Sequence, residues 1–128
     1  MIANLDTEQI LATDFCNGRK HDFQLFKESR CAISPLIHAL ADTGYQGLGG
    51  IHFNSQTPAK KSKLHPLSQA QKASNRALSR ERIVIENIIR KLKIFRILSE
   101  RYRNRRKRFG LRFNLIAAIY NIELKNAP

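Results

Sequence analysis

Asp42 and Glu86 are the two carboxylates of this 128-residue chain whose neighbours suggest chemistry. Asp42 follows the short apolar run Ile37-His38-Ala39-Leu40-Ala41 and precedes a glycine-rich turn. Open α/β sheets present ligand-binding groups just past the carboxyl ends of their strands. The same position also suits a turn-forming aspartate with no further role. Glu86 lies in a basic stretch, with Arg82 four residues before it and Lys93 seven after it. On a helix advancing about 100° per residue, Glu86 and Lys93 fall about 40° and 20° from Arg82. One face therefore shows a carboxylate framed by cations. The arrangement fits a site, and it equally fits an ordinary i,i+4 ion pair.

The run Arg101-Tyr102-Arg103-Asn104-Arg105-Arg106-Lys107-Arg108 sets six cations around a tyrosine. Guanidinium and ammonium groups contact phosphates, and an interleaved ring can stack on a base. Nucleic-acid contact is the expectation here. His21-Asp22 reads either as an acid–base or metal pair, or as a helix start beside a surface histidine. His38, His52 and His65 have no metal-ligand spacing. The glycines at 44, 47, 49 and 50 do not form a dinucleotide fingerprint, and no phosphate-cradling P-loop pattern occurs.

The charge has an address. Residues 60–108 hold seventeen Lys and Arg against three Asp and Glu, whereas residues 1–59 hold four against six. The net +13 thus comes from the later half and favours a polyanionic partner, nucleic acid or an acidic membrane surface. No apolar run approaches the ~18 residues of a membrane span. The N-terminus has no basic segment leading into an apolar stretch, so no signal peptide is expected. Cys16 and Cys31 stand 15 apart without a CxxC motif, which suits reduced thiols in a cytoplasmic protein. A hydrophobic fraction of 42% with seven Phe is enough for a core.

Several elements must position these groups. Residues 2–5 and 9–15 read as two strands around an Asp6-Thr7-Glu8 turn. Asp22 is expected to cap a helix over 23–30, and 37–41 to form a short buried strand. Residues 54–66 read as a linker. From Leu67 to about Tyr102 the pattern is helical, with Ser68 and Gln71 at capping-box spacing. Ile85, Ile88, Ile89, Leu92 and Phe95 make one apolar stripe. A second helix over 111–124 carries the stripe Leu111, Leu115, Ala118, Ile119 and Ile122. The class is mixed α/β.

Four stretches carry a resemblance. They are Asn17-Gly18-Arg19-Lys20-His21-Asp22-Phe23, Ala41-Asp42-Thr43-Gly44-Tyr45-Gln46-Gly47, Pro58-Ala59-Lys60-Lys61, and Arg82 through Lys93. Phe113-Asn114-Leu115-Ile116-Ala117-Ala118 continues it. Together they resemble the C-terminal part of bacterial insertion-sequence transposases of the insertion-sequence-five group, which have an RNase H-like DDE catalytic domain. The late motif of that family reads Y-x2-R-x3-E-x6-K. Arg82, Glu86 and Lys93 match its R, E and K, and Ser79 stands at the tyrosine position.

The resemblance implies that Asp42 and Glu86 are the second and third catalytic carboxylates and hold Mg²⁺ or Mn²⁺. Arg82 and Lys93, with Arg101, Arg103, Arg105, Arg106, Lys107 and Arg108, would contact DNA at the transposon ends. Two-metal phosphoryl transfer needs such carboxylates, and Mg²⁺ prefers hard oxygen ligands. The first catalytic aspartate of the family lies on a strand that would precede Met1; Asp6 fits a hairpin turn better. The expected fold is an incomplete RNase H-like domain: a short mixed sheet lacking its first strand, a long basic helix and an apolar C-terminal helix. It forms one partial domain over 1–128, with strands and a short helix in 1–53 and a helical part in 67–124. Two origins remain open: a truncated transposase inactive alone, or the downstream frame of a two-frame gene whose N-terminal part is a partner. An oligomer on DNA in the bacterial cytoplasm, associated with the nucleoid and not with a membrane, is expected. The alternative is a non-catalytic basic nucleic-acid-binding protein. The uncovered sheet edge implies marginal stability.

Overall fold

The computed structural model describes every residue except 17, 100–107 and 128. Strands β1 (Ile2–Ala3) and β2 (Ile10–Ala12) are followed by helix α1 (Asp22–Ser29), then strands β3 (Ala39–Leu40) and β4 (Ser55–Gln56). Helices α2 (Gln69–Leu92), α3 (Arg96–Ser99) and α4 (Phe109–Asn126) complete a mixed α/β chain. Two compact units form. One contains Met1–Phe15 and Ile83–Pro128, the other Cys16–Arg82, and α2 contributes to both. No helix among the described residues is long and apolar enough to cross a membrane.

In the first unit β1 and β2 pair antiparallel, with Ile2 opposite Ala12 and Ala3 opposite Ile10. The expected hairpin is present, with strands shorter than the alternation suggests. Asn4 closes its turn by accepting the Asp6 and Thr7 N–H groups at 2.8 and 3.1 Å. Ile10, Ile88, Leu92, Ile116, Ala117 and Tyr120 form the core, and Ile88 is fully buried. Burial of one such side chain is worth about 1.5–3 kcal/mol. Asn121 on α4 fastens the strand: it accepts the Ile10 N–H at 2.9 Å and donates to the Ile10 carbonyl at 2.8 Å. The Tyr120 hydroxyl donates to the Glu8 carbonyl at 3.2 Å.

These clamps set the rotation of α4, and they overturn the stripe expected for it. Ile116, Ala117 and Tyr120 face the core, whereas Leu111, Leu115, Ala118, Ile119 and Ile122 are exposed. The helix is apolar on nearly every side, so periodicity could not choose between faces. The polar hooks of Tyr120 and Asn121 made the choice. On α2 the expected stripe holds at Ile88 and Leu92, but Ile89 is exposed and Val84 packs on the core instead; Phe95, also exposed, lies past the end of α2, which stops at Leu92 and not near Tyr102 as expected.

In the second unit β3 and β4 pair in parallel, Ala39 with Ser55 and Leu40 with Gln56. Part of the expected linker is therefore strand. The strand expected to be buried over 37–41 is shorter and only half-covered; Leu36 and Ile37 are exposed. Parallel strands are usually covered on both faces, and among the described residues β3 has one neighbour. His52 is buried with its Nε2 2.7 Å from the Ile37 carbonyl oxygen. The capping box at the start of α2 forms as its spacing predicts: the Ser68 N–H meets Gln71 Oε1 at 2.9 Å, and the Gln71 N–H meets Ser68 Oγ at 3.2 Å.

Candidate functional site

The end of β3 delivers Asp42 into a tight turn. Its backbone is extended, and its side chain caps the 3₁₀ turn Thr43–Tyr45 by accepting the Gly44 N–H at Oδ1, 2.8 Å away. The turn-forming role open from sequence is thus real. It uses one carboxylate oxygen. The other, Oδ2, lies 3.9 Å from Nη2 of Arg82. Residues of two separate sequence motifs, 41–47 and 82–93, meet in this pair.

Helix α1 is held beside the turn by aromatic packing. Tyr45 follows Asp42 by three residues, and its ring centroid lies 5.7 Å from that of Phe23 and 6.3 Å from that of Phe26. Burial, and then the Asp22 and Asp42 carboxylates, push the Tyr45 phenol above its usual value. The N-cap of α1 is His21, not Asp22 as expected: His21 Nδ1 accepts the Phe23 N–H at 3.3 Å. Asp22 becomes the first helical residue, where its charge complements the helix N-terminus. With Nδ1 accepting, the neutral ring carries its proton on Nε2.

The result is an open cleft of about 510 Å³ lined by Gly18, Arg19, Lys20, His21, Asp22 and Asp42 with Thr43 and Gly44. Close approach favours glycine at position 44. A β-carbon there would lie 3.0 Å from Asp42 Oδ1 and 3.4 Å from His21 Cε1. Lys20 is bonded to Glu28. That hydrogen bond, with one from Gln24, lowers the Glu28 carboxyl below its usual value. The cleft combines a strand-end carboxylate with basic and imidazole groups, a mixture suited to a phosphate ester and a cation.

The other candidate residues are placed as follows. Glu86 is exposed on α2, one turn beyond Arg82. The i,i+4 pair with Arg82 is not what forms; the ion pair made by Arg82 goes to Asp42. Lys93 is exposed and lies one residue past the end of α2, its N–H still bonded to the Ile89 carbonyl at 3.0 Å. Arg108 is exposed at the start of α4. Arg101, Arg103, Arg105, Arg106 and Lys107 lie outside the described residues. Among the described residues no three His, Cys, Asp or Glu side chains cluster as a metal site.

One positioning residue was not legible. Asn75 on α2 accepts the Ala59 N–H at 2.8 Å and donates to the Ala59 carbonyl at 3.0 Å. It thereby fixes the backbone next to Lys60-Lys61. The stretch 58–61 was singled out from sequence, but nothing pointed to its partner sixteen residues on.

Comparison with known proteins follows this geometry. The family model described as DDE superfamily endonuclease matches residues 1–121. The chain is 52% identical over 124 residues to a protein of Microchaete diplosiphon described as "Probable transposase for insertion sequence element IS702". That match covers 97% of this chain and 45% of the relative, so the chain spans less than half of that protein's length. No solved structure matches.

Proposed function

The chain belongs to the DDE endonuclease superfamily, and on that premise we propose that it supplies the later part of a transposase catalytic domain that cuts and joins DNA. The observation that carries this reading is the meeting of Asp42 with Arg82 at 3.9 Å. The strand-end carboxylate and the arginine of the R-x3-E-x6-K pattern are distant in sequence and adjacent in space.

In this reading Asp42 and Glu86 are two of the carboxylates that hold Mg²⁺ or Mn²⁺. Their donor chemistry fits, because both offer the hard oxygen atoms that these ions take. Among the described residues no three such side chains cluster, and in this reading a further carboxylate comes from the part of a longer transposase that has no counterpart in this chain. When bound, the ions stabilise the attacking and leaving oxygens of phosphoryl transfer. The protein's own groups do the rest. The Gly44 N–H holds Asp42 Oδ1 and leaves Oδ2 turned toward the cation side. Arg82 sits where its charge offsets a phosphate drawn up to that carboxylate. Lys93 and Arg108, with Arg101, Arg103, Arg105, Arg106 and Lys107, bind the DNA backbone and steer it electrostatically. The partner is DNA at the transposon ends, and the place of action is the bacterial cytoplasm at the nucleoid.

The test joins this chain to the part of the cyanobacterial relative that has no counterpart here. Glu86→Gln and Asp42→Asn should each lower Mg²⁺-dependent DNA-end cleavage by about 100-fold or more while DNA binding stays similar or tightens. Unchanged cleavage in both variants would leave the basic nucleic-acid-binding alternative in place.

A further inference from the structure

Helix α4 is apolar on two opposite faces. Phe113, Ile116, Ala117, Tyr120 and Leu124 pack on the core of their unit. The opposite face nevertheless carries Leu111, Leu115, Ile119 and Ile122, which are 72, 60, 37 and 58% exposed. Their steps of four, four and three residues make a continuous aliphatic ridge along one side of the helix. A helix that is apolar all round is the signature of burial on both sides. By contrast α2 is amphipathic, with Lys72, Arg76, Arg80 and Arg90 in solvent. On α2 Ile83 and Ile89 are also exposed, but six residues apart they form no such ridge.

We propose that the Leu111–Leu115–Ile119–Ile122 ridge is the seat of an apolar surface belonging to the remainder of the full-length transposase, which makes α4 an interior helix between two layers. Two observations select this occupant. More than half of the length of the cyanobacterial relative has no counterpart in this chain, so there is ample chain to form the second layer. Charge disfavours a second copy: each copy carries +13, and α4 itself holds Arg112 and Lys125 against the single acid Glu123, with Arg108 at its N-cap. Apposing two such helices would bring like charges together. The proposal rests on the reading that this chain is the later part of a longer transposase and not on the roles assigned to Asp42 and Glu86, so its test has no catalytic readout.

The experiment places a single thiol on the ridge, Leu115→Cys, in a background of Cys16→Ser and Cys31→Ser. Maleimide labelling is timed in this chain and in the same chain carrying the unmatched part of the cyanobacterial relative ahead of Met1. Fast labelling in the chain alone and labelling slowed at least about tenfold in the joined protein is the expected result. Equal rates in the two proteins would overturn the proposal. Slow labelling in the chain alone, speeding up on dilution, would overturn it in favour of a second copy. As a second measurement, Leu115→Glu should lower the Tm of the joined protein and leave that of the chain alone unchanged. A fall in both would mean that the ridge is part of the unit's own packing.

Discussion

Arg82 and Asp42 face each other at 3.9 Å, and through them the helix motif reaches the strand-end turn. The separation is that of a loose ion pair, and the two side chains are 27 and 46% exposed. Pairs of that kind contribute about 0–1 kcal/mol. The contact is therefore weak as a fold-stabilising element, which suits the proposed role of Arg82 as a phosphate-binding group.

Arg82→Ala should change the stability of the chain by less than about 1 kcal/mol. DNA affinity should fall for all sequences alike, and the slope of log K against log salt should drop by about 1. Urea denaturation followed by fluorescence-anisotropy titrations at several salt concentrations measures both. A sequence-dependent loss would point away from a phosphate contact.

Asn121 and Asn75 perform the same task in different units, each satisfying both backbone groups of one residue outside the helices. Removing either side chain strands a part-buried donor and acceptor, so Asn121→Ala and Asn75→Ala should each cost about 1–3 kcal/mol. Amide exchange should quicken at Ile10 in the first variant and at Ala59 in the second, each without the other.

Gly44→Ala should be mild for folding and severe for function. The added methyl meets Asp42 Oδ1 at 3.0 Å and the exposed His21 ring at 3.4 Å, so a shift of a few tenths of an ångström relieves it. That shift falls on the carboxylate. Thermal melting should show a small change, while cleavage by the joined protein falls by about 100-fold, the scale of a misplaced reacting group.

Alkaline pH should weaken the fold. The Tyr45 and Tyr120 phenols are both raised above 10.0, in each case chiefly by burial. A group whose folded value is raised contributes stability that is complete below its unfolded value and is lost as pH climbs through the folded one. The loss should begin near pH 10 and continue above it. Melting curves of the chain and of Tyr45→Phe across this range test it; the variant should show a shallower decline.

Much of the local structure was written in local chemistry. The Ser68–Gln71 capping box, the hairpin around Asp6-Thr7-Glu8 and the Ile88–Leu92 core contacts follow from spacing alone, because each depends on residues one or two turns apart. The candidates Asp42 and Arg82 were also legible one by one. Their proximity was not, since they stand forty positions apart in the chain with β4 between them.

The sequence by itself determined the N-terminal hairpin, the helical character of α2 and α4, where the positive charge lies and which family the chain belongs to. Tertiary structure alone decided which side of α4 is inside, which residue caps α1 and which carboxylate Arg82 faces. The reason is physical. Periodicity selects a face only when one side of a helix is polar, and α4 is apolar on both. Its orientation was left to two long-range hydrogen-bonding hooks, Asn121 on Ile10 and Tyr120 on Glu8.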